Sequence, residues 1–358
     1  MAETTYRNRR AYQLDNGTLR LTVLVEGGHV AEIFDHATGI NPLWTPPWPS
    51  IEPSRYDPAL HPEYGQNAES KLLAGIMGHN LCLDIFGPPS EEEAAAGLPV
   101  HGEASVVPYR IEAVGDELRA EAELPEARLR VQRRIRLAPG ARVVEFTEIV
   151  QNVSATDRPA GWTQHVTLGP PFLAKGETLF RVTATRSKVF ESDFSPGASR
   201  LQIGAEFDWP WAPRRDGSRE DLRVFTNAPA SGEFTTHLMD PAREHAWFVA
   251  WSPAAQLAFG YVWHREDFPW MGIWEENYSR SSPPWNGQTL TRGMEFGVSP
   301  MPETRRQMIG RGQMFGVPAF RWIPARSRVE VRYAAFLMPV VAAPDQVIWD
   351  GAGVVQLR

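Results

Sequence analysis

A chain of 358 residues, 42% hydrophobic and 22% charged, has ample material for a large packed core, and no apolar run reaches the roughly 18 residues that a membrane span requires. A formal net charge of −7 with no basic stripe argues against a nucleic-acid backbone as the main partner. The one cysteine, Cys82, excludes an internal disulfide or a multi-cysteine zinc site and is expected to be a buried apolar thiol.

The first ten residues carry basic groups with no apolar segment behind them, so the sequence predicts no secretory signal and a cytoplasmic protein. Thirty-one prolines and 29 glycines, scattered throughout, oppose long helices and favour an all-β protein. Alternating runs at 11–14, 19–25 and 29–34, separated by Asp15-Asn16-Gly17 and Glu26-Gly27-Gly28, predict an opening meander with an Asn-Gly hairpin of type I′. Residues 44–64 are too rich in proline for a regular element and form a long ordered loop carrying Trp44 and Trp48.

From 72 to 89, glycines beside His79 and Asn80 allow close backbone approach and are expected to present both side chains to a cleft. Ser90 and Glu93 form a capping box for a short helix that stops at Gly97 and delivers the chain to His101-Gly102. Strands follow at 107–114, 118–124, 129–137 and 143–150, with turn signals at the spacing of an antiparallel sandwich. No boundary interrupts the pattern, so one domain is expected over 1–358.

A further strand runs from Ala160, carries His165, and ends at Gly169-Pro170-Pro171. Strands are also predicted at 180–189, 222–226, 235–238, 245–251 and 257–263, with an irregular stretch at 190–221 holding Trp209 and Trp211. The last third contains Trp270 to Asn277, then Gly293-Met-Glu295-Phe296, an alternating hairpin over 321–337 and a short strand near Val347.

Two residues have chemistry suited to catalysis. His165 lies near a strand end, and the ordinary titration of histidine near neutrality suits proton transfer or metal ligation; the alternative is a hydrogen-bonded core or rim histidine. Glu295, amid Met294, Phe296 and Val298 with glycines beside it, would be desolvated and therefore a stronger base; the alternative is a rim glutamate paired with an arginine. The thirteen tryptophans supply faces that pack on the C–H faces of sugars or fill the core.

Together these segments resemble the aldose 1-epimerase (galactose mutarotase) superfamily over roughly residues 15–338. Asn152 followed by Gly161-Trp-Thr-Gln-His165-Val-Thr-Leu-Gly-Pro-Pro-Phe172 resembles its turn and catalytic-acid histidine strand. Leu98-Pro-Val-His101-Gly102 is similar to its substrate-binding histidine, Gly293-Met-Glu295 to its base glutamate, and 320–336 to its closing hairpin. Departures are visible: Pro171-Phe-Leu173 replaces Tyr-Phe-Asn-Leu, Ala325-Arg-Ser327 replaces Pro-Gly-Glu, and no proline follows Glu295. Gly78-His79-Asn80 stands where the substrate arginine lies, and Gly272 where a glutamine lies.

The resemblance implies an antiparallel β-supersandwich with few short helices and interconversion of sugar anomers by ring opening, without cofactor or metal. Glu295 would be the base and a cationic His165 the acid, while His101, His79, Asn80, Trp274 and Glu276 hold the hydroxyls. The partner would be a monosaccharide or sugar derivative, and the chain admits a homodimer. Two rivals stand beside this. A cupin-like metal site would draw on His79, His101, Glu103, His165 and Glu295, and a non-catalytic carbohydrate-binding protein would stack Trp44, Trp48, Trp209 and Trp211 on a glycan.

Overall fold

The structure, a computed structural model, describes residues 3–358; Met1 and Ala2 of the N-terminal segment lie outside it. Two large antiparallel sheets, of twelve and eight strands, make the β-supersandwich, and among the described residues α-helices are confined to Ser70–Leu73, Glu91–Ala95 and Arg305–Arg311. Among the described residues no helix is long and apolar enough to cross a membrane. The middle of the larger sheet runs His79–Asp84, Arg158–Leu168, Leu290–Gly297, Trp270–Asn277 and Ser231–Met239. The smaller sheet contains Leu129–Arg136, Val143–Asn152, Arg328–Pro339, Leu257–His264 and His245–Ser252 as neighbours.

Strand periodicity decides what each sheet buries. Trp162, Val166 and Leu168, Met294 and Phe296, and Met271 and Ile273 point into the layer between the sheets, where they meet Phe146, Tyr261 and Tyr333. The alternate residues Thr163 and His165, Glu295, and Trp270 and Trp274 must then emerge on the opposite face of the larger sheet.

The inter-sheet layer also encloses a polar network behind the histidine strand. Arg133 pairs with Glu148 at 2.9 Å, and Glu148 accepts from the Trp162 indole and the Gln164 amide. Gln164 in turn bonds His79 and Tyr333. These partners offset the cost of burying both charges, which would otherwise be severe.

The capping box at Ser90 and Glu93 forms as expected, both hydrogen bonds being present. Four readings of the sequence need correction. The strand expected over 180–189 is two, Leu179–Val182 and Ala184–Val189, in different sheets; Thr183 binds Trp247 at the crossing. The 222–226 run makes one isolated bridge in place of a strand, while 190–221 contains three short strands. The closing segment is not a hairpin. Arg321–Ile323 pairs with the histidine strand and Arg328–Pro339 pairs in the other sheet, with Asn152 donating to the Ile323 carbonyl at the crossover. Finally, only Gly17 of Asn16-Gly17 has positive φ; the Asn16 side chain accepts from Thr18 and Leu19 and donates to Ala138 and Ala141, so the turn is not type I′.

Candidate active site

Strand register aligns Asn80, His165, Glu295, Gly272 and Thr236 in one row across five neighbouring strands. His165 and Glu295 are cross-strand partners, with Nε2 lying 3.1 Å from Oε1, and both are buried. Oε1 nevertheless has no aligned hydrogen-bond partner. His165 Nδ1 lies 3.0 Å from the Thr167 hydroxyl, on the same face two residues on. When Thr167 accepts from Nδ1–H, Nε2 keeps its lone pair toward Glu295.

Two glycines make room for the carboxyl group. A Cβ on Gly293 would collide with Glu295 Oε1, and one on Gly272 would sit 3.4 Å from Oε2. His101 enters from a tight loop in which it has φ 65° and Gly102 has φ 78°. A side chain at Gly102 would strike the Leu83 carbonyl, so this close approach requires glycine. The His101 ring lies 5.3 Å from that of His165 and stacks on Phe86 at 6.0 Å.

Burial governs the electrostatics. It raises the Glu295 carboxyl well above its usual range and pushes His165 down to about 4. His101 is lowered well below the ordinary histidine value, by burial first and then by His165. Burial thus favours the uncharged form of each group, the protonated carboxyl and the neutral imidazole. Burial, the largest cause, works against the cationic His165 that the resemblance implies; among the described residues Glu295 is its one carboxylate partner.

These groups form the floor of a cleft of about 330 Å³. Trp274 lies beside them, its ring 5.9 Å from His165 and its Nε1 unpartnered. Phe86, Phe190, Phe194, Phe234 and Trp285 build the walls, and Glu69, Asp193 and Arg280 stand among the lining residues as the charged groups away from the floor. Arg280 lies 4.7 Å over the Trp285 ring and pairs with Glu69 and Glu276.

Of the residues singled out in the sequence, Glu295, His165, His101 and Trp274 meet in this cleft. His79, Asn80 and Glu276 do not line it. His79 faces the inter-sheet layer, with its nitrogens bonded to Tyr261 and Gln164. Asn80 stands next to His165 in the row, but is fully buried and donates to Ser105. Glu276 accepts from Ser279 and Arg280 and holds their turn.

Of the metal rival's residues His101, His165 and Glu295 share the cleft, but His79 is engaged in the core and Glu103 accepts from the Ala127 amide, so the full set does not assemble. The tryptophans of the binding rival separate as well: Trp44 and Trp48 pack on Trp285 behind the cleft wall, while Trp209 packs on His237. Sequence reasoning missed the phenylalanine walls and Arg280. Phe190 and Phe194 border a stretch without periodicity, so no local signal marks them.

The architecture is that of galactose mutarotase-like proteins, a fold assignment carried by comparison with solved structures. A proposed aldose 1-epimerase from Klebsiella pneumoniae superposes with a TM-score of 0.69 at 12% identity, covering 94% of this chain and 82% of that one. A galactose mutarotase-like protein from Clostridium acetobutylicum gives 0.61 at 13% identity, covering 95% and 98%. A proposed aldose 1-epimerase from Escherichia coli K12 gives 0.59 at 12% identity, covering 92% and 99%. No protein family model matches the chain. No curated protein matches it either.

Proposed function

We propose that this protein interconverts the anomers of a cyclic hemiacetal of the sugar class, with His165 and Glu295 as the proton-transfer pair. The observation that carries this is the cross-strand contact of 3.1 Å between them at the floor of the cleft. Ring opening of a hemiacetal removes a proton from the anomeric hydroxyl and delivers one to the ring oxygen. Those two oxygens share one carbon, so acid and base must lie side by side, within hydrogen-bond reach of each.

Starting from the neutral pair, His165 Nε2 takes the proton of the anomeric hydroxyl as the C1–ring-oxygen bond breaks, and the Glu295 carboxyl protonates the departing ring oxygen. The open aldehyde rotates about C1–C2. Closure reverses both transfers: Glu295 carboxylate recovers its proton from the hydroxyl, and His165 returns its own to the carbonyl oxygen. Atoms and charge balance over the cycle. In this reading the opening roles are the converse of those implied by the resemblance, because burial favours a neutral carboxyl and a neutral imidazole. A low-dielectric floor strengthens both interactions with the transition state.

Two-dimensional exchange NMR of equilibrating anomers tests this. Protein should accelerate exchange, and Glu295→Gln and His165→Asn, each shown folded by circular dichroism, should lower the catalysed rate by about 10²–10⁴-fold. Binding without acceleration would instead establish a non-catalytic sugar-binding protein.

A further inference from the structure

We infer that the substrate is a hydroxyl-poor cyclic hemiacetal, a multiply deoxygenated aldose or a simple lactol, and not a free hexose. This rests on the hemiacetal reading of the same site and narrows what that site accepts. At the floor, three buried polar atoms lack partners: Glu295 Oε1, His101 Nδ1 and Trp274 Nε1. They suffice for the anomeric hydroxyl, the ring oxygen and one neighbouring group. Elsewhere the lining is dominated by apolar side chains, among them Leu73, Phe86, Phe190, Phe194, Phe234 and Trp285.

The remaining charged lining groups are already engaged. Arg280 pairs with Glu69 at 3.4 Å and Glu276 at 3.5 Å, and Asp193 pairs with Arg215 at 3.1 Å. A hexose brings several hydroxyls beyond the reacting pair of oxygens. Aromatic rings can cover the faces of such a sugar, but its edges need donors and acceptors, and the leucine and phenylalanine side chains of these walls offer none. A hydroxyl buried there loses its water without replacement. The cleft of about 330 Å³ has space for one six-membered ring with short substituents, so the polarity of its lining and not its size carries the discrimination.

The probes are 2-hydroxytetrahydropyran, a 2,6-dideoxyhexose, glucose and glucose 6-phosphate, each followed by exchange NMR. The reading is kcat/KM divided by that compound's uncatalysed rate. The lactol and the dideoxy sugar should exceed glucose by about 10²-fold, the scale on which an apolar pocket discriminates against an added hydroxyl. Phe194→Asn, at a half-buried loop position, should narrow that ratio by restoring an edge partner.

Glucose turned over as well as the lactol would overturn the substrate class and leave the catalytic reading standing. Preference for glucose 6-phosphate would also overturn it, and would make Arg280 an anion anchor. Acceleration of none of the four would remove the catalytic reading itself, and this inference with it.

Discussion

Glu295 is held in an environment that favours its neutral form, and this has a measurable cost. Its folded pKa is raised by burial above the unfolded value, so the native state keeps a proton that the unfolded chain releases. The associated stabilisation is complete at pH below the unfolded pKa and is lost as pH rises toward the folded one. Glu295→Gln removes this dependence. The variant should be more stable than wild type by about 0.5–2 kcal/mol near neutrality, with a gap that widens as pH rises through the range above about 4.5 in thermal unfolding. A constant gap would contradict the assigned direction.

Gly293→Ala tests the space around the same carboxyl. Its Cβ would meet Oε1, the free end of a side chain, so Glu295 should swing aside and activity should fall by at least 10-fold, with stability changed by less than about 1 kcal/mol. Glu295 was legible in the sequence because its apolar and glycine neighbours are adjacent to it in the chain. His79 and Asn80 were not separable in that way. Consecutive strand residues face opposite sides, and only pairing with 158–168 shows that His79 turns into the core and Asn80 toward the row.

At the level of elements, the strand bearing His165 rests on the Arg133–Glu148 network. Glu148→Ala would leave Arg133 buried without its carboxylate and strand the Trp162 and Gln164 donors. Denaturant unfolding should show a loss of about 3–5 kcal/mol, the usual consequence of breaking a buried pair from one side. A loss below about 1 kcal/mol would mean that water or a rearranged neighbour replaces the carboxylate. Elements specified by local chemistry were readable in advance, as the capped helix Glu91–Ala95 shows. Alternation also revealed most strands, but it carries no information about sheet membership. The run 180–189 therefore looked continuous although it changes sheets at Thr183, and 321–337 looked like a hairpin although its two strands have different partners.

On the scale of the molecule, the cleft gathers side chains from Glu69 to Pro302, and only the closed sandwich brings them together. Composition announced abundant aromatic residues without showing that phenylalanines wall the site while Trp44 and Trp48 stand behind it. The fold was legible because many short alternating strands admit few architectures. The character of the walls was not, since Phe190, Phe194 and Phe234 become neighbours only across the larger sheet's edge and its adjoining loop.

Anomer exchange measured by NMR across pH, with wild type beside Glu295→Gln, tests the shared-proton pair most directly. The expected result is an accelerated exchange on a hydroxyl-poor hemiacetal. It should fall away as pH drops through about 4, where buried His165 takes up a second proton, rather than near the ordinary histidine value. It should be largely lost in Glu295→Gln. Full activity in that variant, or no acceleration of any hemiacetal by wild type, would contradict the assignment of His165 and Glu295 as the acid–base pair.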